Sequence, residues 1–328
     1  MNNWINNFAN FLADKNAGLA KYNIDLIDVV LNNYRWTFPI SKQSSSDILK
    51  TLNKNIEEKQ ISSDVEKILF SRKFISENFE SLPPEDIVKF ATVEWGRTLR
   101  DNQKNKNTIN CYSNLVEYIK INQLTKIDTI DRIFDFLVKN KHIDGIASWS
   151  KILAVINPHD FFVYDFRIHQ ALHLFWSLYC LNNKLNEDFP FVLTNPGRNA
   201  RATFVDIILD INKKNKRTPK GKASSNKTLS YINYCTFIKK LSDLTFNCNK
   251  NILPSQHVQN QNDTPYQLTE MALFSLMGSS EGTSSEEIRE RKADFIFSGD
   301  YKTDPVYEPA PNLLKSAIDA YLNAIIKK

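Results

Sequence analysis

Apolar residues recur along most of this chain at the spacing of one face of an α-helix. Near the N-terminus the spacing is carried by Trp4, Phe8 and Leu12, and a second series runs through residues 23–34. The same periodicity predicts further helices at about 46–58, 85–100, 109–121, 129–140, 148–156, 166–181, 199–212, 226–245, 265–277, 284–293 and 310–326. The pattern therefore predicts an all-α fold.

The breaks in this pattern also favour helices joined by short connections. The chain has only 8 glycines, and many-stranded hairpin folds need more residues that tolerate positive φ. Pro158 disfavours the helical conformation at Asn157, so the helix over 148–156 is expected to end there. The run 161–164, Phe-Phe-Val-Tyr, is too short for a core helix and is predicted to be an extended linker.

Charge is spread unevenly over the chain. The net charge is +5, but residues 253–328 hold 11 acids and 7 bases, which leaves +9 on the first 252 residues. The segment 212–227, NKKNKRTPKGKASSNK, carries seven bases and no acid. A basic body of this kind is compatible with a nucleic-acid partner, although basic runs also serve as exposed solubilising loops. The acidic C-terminal segment is a candidate surface for a protein partner.

Composition shifts divide the chain into three consecutive segments. We predict an N-terminal helical region at 1–108, a helical core with the basic loop 212–227 at 109–245, and a linker with a C-terminal helical segment at 246–328. The boundary near residue 246 rests on the polar, irregular composition of 246–264.

Several classes of protein are not supported by the sequence. No apolar stretch approaches the ~18 residues that cross a bilayer, and the N-terminus lacks the features of a secretory signal. The four cysteines have no CxxC spacing, which indicates free thiols rather than zinc ligands or disulfides. The chain also lacks a P-loop, a Rossmann fingerprint, a G-x-S-x-G motif and the kinase motifs. We therefore expect a cytoplasmic protein that binds no membrane and uses no cofactor.

Residues 145–172, GIASWSKILAVINPHDFFVYDFRIHQAL, hold the residues best suited to chemistry. Lys151 stands at the head of an apolar helix, and Asp165 follows an aromatic run fourteen residues later. An amine is a nucleophile only when unprotonated, a form that apolar surroundings favour, and a nearby carboxylate can stabilise positive charge or move a proton. The alternatives are a solvated lysine and an aspartate that caps the helix after it.

This segment resembles the active-site segment of the helix-hairpin-helix DNA glycosylase superfamily, in particular its bacterial 8-oxoguanine-DNA-glycosylase-like branch. The shared pattern is Ser150-Lys151, an apolar helix, Pro158, a short hydrophobic run and Asp165-Phe166-Arg167. Gly145-Ile146-Ala147 stands where the superfamily usually has Gly-hydrophobic-Gly, and more residues precede the lysine. The resemblance implies a multi-helix orthogonal bundle with a helix-hairpin-helix core. It also implies that Lys151 attacks the sugar C1′ of a flipped-out nucleotide while Asp165 assists departure of the base.

A flipped base needs aromatic faces on which to stack, and the DNA backbone needs cations. The base pocket is expected to form from Trp149, Phe161 and Tyr164. Contacts to DNA, expected to be double-stranded, are assigned to Arg167, Arg198, Arg201, Lys213, Lys214, Lys216, Arg217, Lys220 and Lys222. No metal is expected, because His169 and His173 have ligand spacing but lack the glutamate of an HExxH motif.

The function expected from these residues is a DNA glycosylase, with or without a lyase step, that acts on a damaged or modified base. One alternative is a non-catalytic nucleic-acid-binding or assembly component, for example of a phage-defence system. A third is a HEPN-type ribonuclease, since Arg167 and His173 fit its loose Arg-x(4–6)-His pattern and would act from two protomers.

Overall fold

Every regular element in the described part of the chain is helical, which confirms the all-α prediction. The computed structural model describes residues 3–34, 47–96, 98–99, 102–187, 189–191, 227–246, 264–276 and 314–326. The α-helices of these residues are α1 (Asn3–Ala13), α2 (Leu26–Asn33), α3 (Asp47–Glu58), α4 (Asp64–Glu77), α5 (Pro84–Lys89), α6 (Lys106–Asn122), α7 (Ile130–Lys139), α8 (Ile146–Ile156), α9 (Phe166–Asn182), α10 (Lys227–Thr245), α11 (Thr264–Leu276) and α12 (Lys315–Ile326). Short 3₁₀ helices occur at Leu19–Tyr22 and Ile127–Thr129, and a π-helix occurs at Phe90–Glu94.

Most predicted helices agree with the structure to within a few residues at each end, but α4 was not predicted. This helix buries Val65, Ile68 and Leu69 together with the polar residues Glu66 and Arg72. Because polar and apolar residues are buried on the same helix, its sequence shows no clean apolar stripe. The helices predicted at 199–212 and 284–293 lie outside the described residues.

The helix predicted over 85–100 is shorter than expected because it changes its hydrogen-bond pattern. After α5 the backbone widens into the π-helix, where the Trp95 N–H donates to the carbonyl of Phe90 at 2.9 Å. The amides of Thr98 and Leu99 then both donate to the carbonyl of Thr92, at 2.8 and 3.0 Å. This irregular turn ends the helix at Glu94.

The segment around α8 follows the sequence prediction closely. Gly145 precedes α8 at a place without room for a side chain, because a Cβ there would lie 2.3 Å from the hydroxyl oxygen of Tyr112. The helix ends at Ile156, and Asn157 is extended, as its place before a proline predicts. Residues 161–164 form neither helix nor strand, in agreement with the predicted extended linker.

The chain forms two compact units, each assembled from separate stretches of sequence. The terminal unit contains Met1–Asn33, Asp165–Thr245 and Met271–Lys328, and the central unit contains Tyr34–Tyr164 and Phe246–Glu270. The three consecutive segments expected from composition are a different partition of the chain, and they stay a prediction.

Each unit has its own set of helix contacts. In the terminal unit α1 packs against α9 and α10, and α9 also packs against α12. The Phe8 ring lies at the centre of this packing, 5.1 Å from Trp176 and 5.2 Å from Phe237 between ring centroids. In the central unit α8 packs against α4, α5 and the π-helix, and α5 packs against α6.

Candidate functional site

Lys151 lies in the core of the central unit rather than on its surface. Its side chain is only 4% exposed, and the residues around it on α8 are buried as well. The Nζ amine donates a hydrogen bond to the backbone carbonyl of Gly96, at 3.3 Å. The side chain of Lys151 is therefore shielded from water, and its role as a nucleophile stays a prediction.

The absence of a side chain at Gly96 leaves space for the side chain of Lys151. A Cβ at this position would lie 2.0 Å from the carbonyl oxygen of Ala91 and 2.7 Å from Cδ of Lys151. The first contact is with backbone, so a larger residue would displace the turn after the π-helix. The contact of Gly96 with Lys151 has no local signal in the sequence, because the two residues are 55 positions apart.

The residue before the lysine connects α8 to the extended linker. Ser150 is fully buried, and its Oγ accepts a hydrogen bond from the backbone N–H of Tyr164 at 3.1 Å. Backbone groups outside regular structure need such partners when they are buried. Ser150 therefore fixes where the linker runs along α8.

The three aromatic residues expected to form a base pocket are all buried. Trp149 donates from Nε1 to the carbonyl of Ile143 at 3.1 Å, and its ring meets Phe134 edge-on at 5.0 Å. Phe161 and Tyr164 are buried as completely. Core packing accounts for their burial, and their role in a base pocket stays a prediction.

The central unit contains a buried ion pair that no sequence pattern indicated. Arg72 of α4 and Glu270 of α11 are 0% and 3% exposed, and two hydrogen bonds join them. The distances are 2.7 Å from Nη2 to Oε1 and 3.2 Å from Nη1 to Oε2. Glu270 Oε2 also accepts from the backbone N–H of Val163 at 2.8 Å, and Gln267 accepts from Arg72 at 3.5 Å. The pair is 198 residues apart in sequence, so no local pattern indicates it.

The guanidinium of Arg72 also stacks on an aromatic ring beside Gly96. Its Cζ lies 4.6 Å from the ring centroid of Trp95. Trp95 in turn shares a hydrogen bond with Tyr34, in which the indole N–H is the donor. Burial raises the pKa of the Tyr34 hydroxyl well above its ordinary value, against a smaller lowering by Arg72, so Tyr34 is neutral at ordinary pH.

Asp165 belongs to the terminal unit, where it caps α9. Its backbone is extended, and its Oδ1 accepts from the backbone N–H groups of Arg167 at 2.9 Å and Ile168 at 3.3 Å. The capping alternative considered for this residue is therefore confirmed. Arg167 places its guanidinium 4.6 Å from the ring centroid of Phe274. Lys151 and Asp165 thus belong to different units.

The two histidines of α9 are buried in the terminal unit. Their rings stack with centroids 5.8 Å apart, and Phe189 lies 4.6 Å from His173. Burial lowers the pKa of His173 to about 4, and its Nδ1 has no hydrogen-bond partner among the described residues. A histidine enclosed in this way does not favour the ribonuclease alternative. No cluster of three or more potential metal ligands occurs within the described ranges.

Most of the expected DNA contacts fall on residues that the structure does not describe. Arg167 is described, whereas the remaining eight lie outside the described residues: Arg198, Arg201, Lys213, Lys214, Lys216, Arg217, Lys220 and Lys222. Of the acidic segment 253–328, the structure describes α11 and the stretch containing α12.

Comparison with known proteins adds no relative: no protein-family model, no curated protein and no solved structure matches the chain. Among the helices that the structure describes, none is long and apolar enough to cross a membrane. The functional assignment therefore depends on the residues of this chain.

Proposed function

We propose that this protein is a DNA glycosylase of the helix-hairpin-helix type, with Lys151 as its nucleophile. The observation that carries the proposal is the burial of the Lys151 amine in an apolar, aromatic part of the central unit. Burying an ammonium group costs free energy, so a lysine inside a core needs a reason beyond solubility. Nucleophilic lysines are found in such desolvated surroundings, because they favour the unprotonated amine.

The proposed reaction begins with a damaged or modified nucleotide flipped out of duplex DNA. The lone pair of the Lys151 amine forms a bond to the sugar C1′, and the electron pair of the C1′–N bond leaves with the base. The base gains a proton as it departs. Loss of the amine proton and opening of the sugar ring give a Schiff base between Nζ and C1′, from which strand cleavage can follow.

Asp165 is the proposed assistant in departure of the base. The capping hydrogen bonds to its Oδ1 hold the carboxylate in one orientation. A carboxylate with a fixed orientation can stabilise positive charge on the sugar or relay a proton. Contacts to the DNA backbone are assigned to Arg167 and to the basic loop 212–227, whose cations give affinity without reading sequence.

Borohydride trapping tests the nucleophile directly. Borohydride reduces a Schiff base to a stable amine, so a native glycosylase of this type becomes covalently attached to its DNA. The substrates are duplexes with an oxidised, deaminated or alkylated base, or with an abasic site. The test variant is Lys151→Met, which keeps the length and apolar character of the side chain but removes the amine.

Lys120→Met is the matched control for this experiment. Lys120 lies in α6 of the same unit, and its amine also donates to backbone carbonyls, at 3.2 Å to Glu80 and 2.5 Å to Leu82. We expect the adduct with the native protein and with Lys120→Met, and its loss in Lys151→Met. An adduct that survives in Lys151→Met, or native protein that forms none with any of these duplexes, would refute the lysine mechanism.

A second candidate function is nucleic-acid binding without base excision, as in an assembly component. The complete burial of Trp149, Phe161 and Tyr164 favours it, because aromatic rings packed in a core cannot receive a base without rearrangement. Its signature would be a salt-dependent affinity for DNA together with the absence of both base release and adduct. The same trapping experiment therefore separates the two candidates.

A further inference from the structure

Two chains of contacts start at the Arg72 guanidinium and end on the adjacent residues Ser150 and Lys151. We propose that Arg72 is a positioning residue for the Lys151 amine, acting through Trp95 on one side and Glu270 on the other. This inference rests on the proposed function only for the chemical role of the Lys151 amine. The positions of the atoms concerned do not depend on it.

The first chain of contacts runs through the turn after the π-helix. Arg72 stacks on Trp95 at 4.6 Å, and the next residue, Gly96, presents the carbonyl that accepts from Lys151 at 3.3 Å. Trp95 is held from another direction by its hydrogen bond with Tyr34. Regular α-helical bonds have ended at this point, so side-chain contacts of Trp95 contribute to the position of the Gly96 carbonyl.

The second chain of contacts runs through the extended linker. Arg72 binds the Glu270 carboxylate at 2.7 and 3.2 Å, and Glu270 accepts from the Val163 N–H at 2.8 Å. The next N–H along, that of Tyr164, donates to Ser150 at 3.1 Å. Residues 161–164 form neither helix nor strand, so these two side-chain acceptors contribute to the register of the linker against α8.

An arginine suits this place better than a lysine would. The guanidinium is planar and has five N–H donors, so it can hold a carboxylate with two bonds while its face stacks on an aromatic ring. A lysine keeps the positive charge beside Glu270 but lacks the paired N–H donors and the planar face of a guanidinium. Arg72→Lys therefore removes the geometry and retains the charge, which makes it the informative variant.

A purely structural ion pair would give a different result from a positioning residue. Loss of a structural pair loosens the central unit as a whole, so half-buried lysines elsewhere in it also become more reactive. Loss of a positioning residue changes the environment of Lys151 and leaves remote lysines unaffected. Lys120 of α6 provides the remote reference, since its amine is held by different backbone carbonyls.

The experiment measures the reactivity of individual lysine amines without DNA. Reductive methylation with formaldehyde and cyanoborohydride, read by peptide mass spectrometry across pH 6 to 10, gives a rate and a pH profile for each lysine. The full-length native protein is compared with Arg72→Lys and with Arg132→Lys, a control at an exposed arginine of α7 that bonds Asn122 at 2.8 Å. We expect Lys151 to react about tenfold faster in Arg72→Lys, corresponding to a local change of about 1.4 kcal/mol, with Lys120 unchanged.

Two outcomes would overturn the proposal. One is an unchanged Lys151 rate and pH profile in Arg72→Lys, and the other is an equal rise at Lys151 and Lys120. If Arg72→Lys unfolds, the double variant Arg72→Met/Glu270→Gln is measured in its place, because it removes both charges at similar side-chain volume. A selective change at Lys151 in that variant supports positioning, and an unselective one or none overturns it.

Trapping on DNA separates this inference from the proposed function. If the native protein forms no adduct, the glycosylase mechanism fails while the labelling result still decides the role of Arg72. If it does form one, Arg72→Lys should lower the rate of adduct formation at saturating DNA and leave the dissociation constant unchanged. An adduct formed at the native rate by Arg72→Lys would overturn positioning and leave the glycosylase proposal intact.

Discussion

Acid should destabilise the terminal unit through His173, and the size of the effect follows from its burial. Burial lowers the pKa of this histidine from 6.5 to about 4, so the unfolded chain binds a proton in the interval where the folded chain does not. Stability from this group is complete above pH 6.5 and is lost progressively as the pH falls toward 4. The difference between the two pKa values corresponds to about 3 kcal/mol at most.

The variant that isolates this effect is His173→Leu. Leucine is similar in size and cannot take up a proton, and it also removes the Nδ1 that lacks a hydrogen-bond partner among the described residues. At pH 7.5 we expect His173→Leu to be at least as stable as the native protein, because an unsatisfied buried nitrogen costs free energy. Its advantage should then grow by about 1.4 kcal/mol at pH 5.5 and about 2.5 kcal/mol at pH 4.5.

Urea unfolding at a series of pH values measures both free energies of unfolding. The quantity of interest is the difference in unfolding free energy between the two proteins at each pH, because titrating groups remote from His173 are present in both and largely cancel. A difference that stays constant from pH 7.5 to 4.5 would show that His173 titrates normally in the folded protein. The proposed enclosure of this side chain would then be wrong.

Three further predictions concern the candidate site and its surroundings. Asp165→Ala should lower stability by about 1 kcal/mol through loss of the α9 cap, whereas Asp165→Asn keeps a capping oxygen. The asparagine variant should therefore melt like the native protein and still lose base release if the carboxylate assists the reaction. Gly96→Ala should destabilise the protein by about 1–3 kcal/mol and raise Lys151 labelling, since its methyl would overlap the Ala91 carbonyl. Replacing four cations of 212–227 by Gln should reduce the slope of log affinity against log salt by up to about 3.6 if all four contact phosphates.

The sequence was informative wherever one local rule governed the structure. Helical periodicity located most helices, and Pro158 and the short aromatic run located the end of α8 and the linker after it. The capping role of Asp165 was also readable, since a cap needs only an acid at the residue before a helix. Each of these features depends on neighbours within a few positions.

The sequence was uninformative where contacts between distant residues decide the outcome. The π-helix and the early end at Glu94 have no sequence signal, because an ordinary helix over 85–100 satisfies the same periodicity. Arg72 lies in a helix without a clean apolar stripe, and its partner is 198 residues away. Arginine and glutamate are mostly exposed in proteins, so the sequence alone predicts a surface position for each of these two residues.

Burying Lys151 or Arg72 costs free energy, because each side chain carries a positive charge when it is in water. Arg72 is desolvated, but its carboxylate partner and the face of Trp95 replace much of what water provided. Lys151 lies in the same unit, and its amine donates to the backbone carbonyl of Gly96. Removing the guanidinium of Arg72 would take away the charged partner of the buried Glu270 carboxylate, so we expect such a variant to destabilise the central unit strongly.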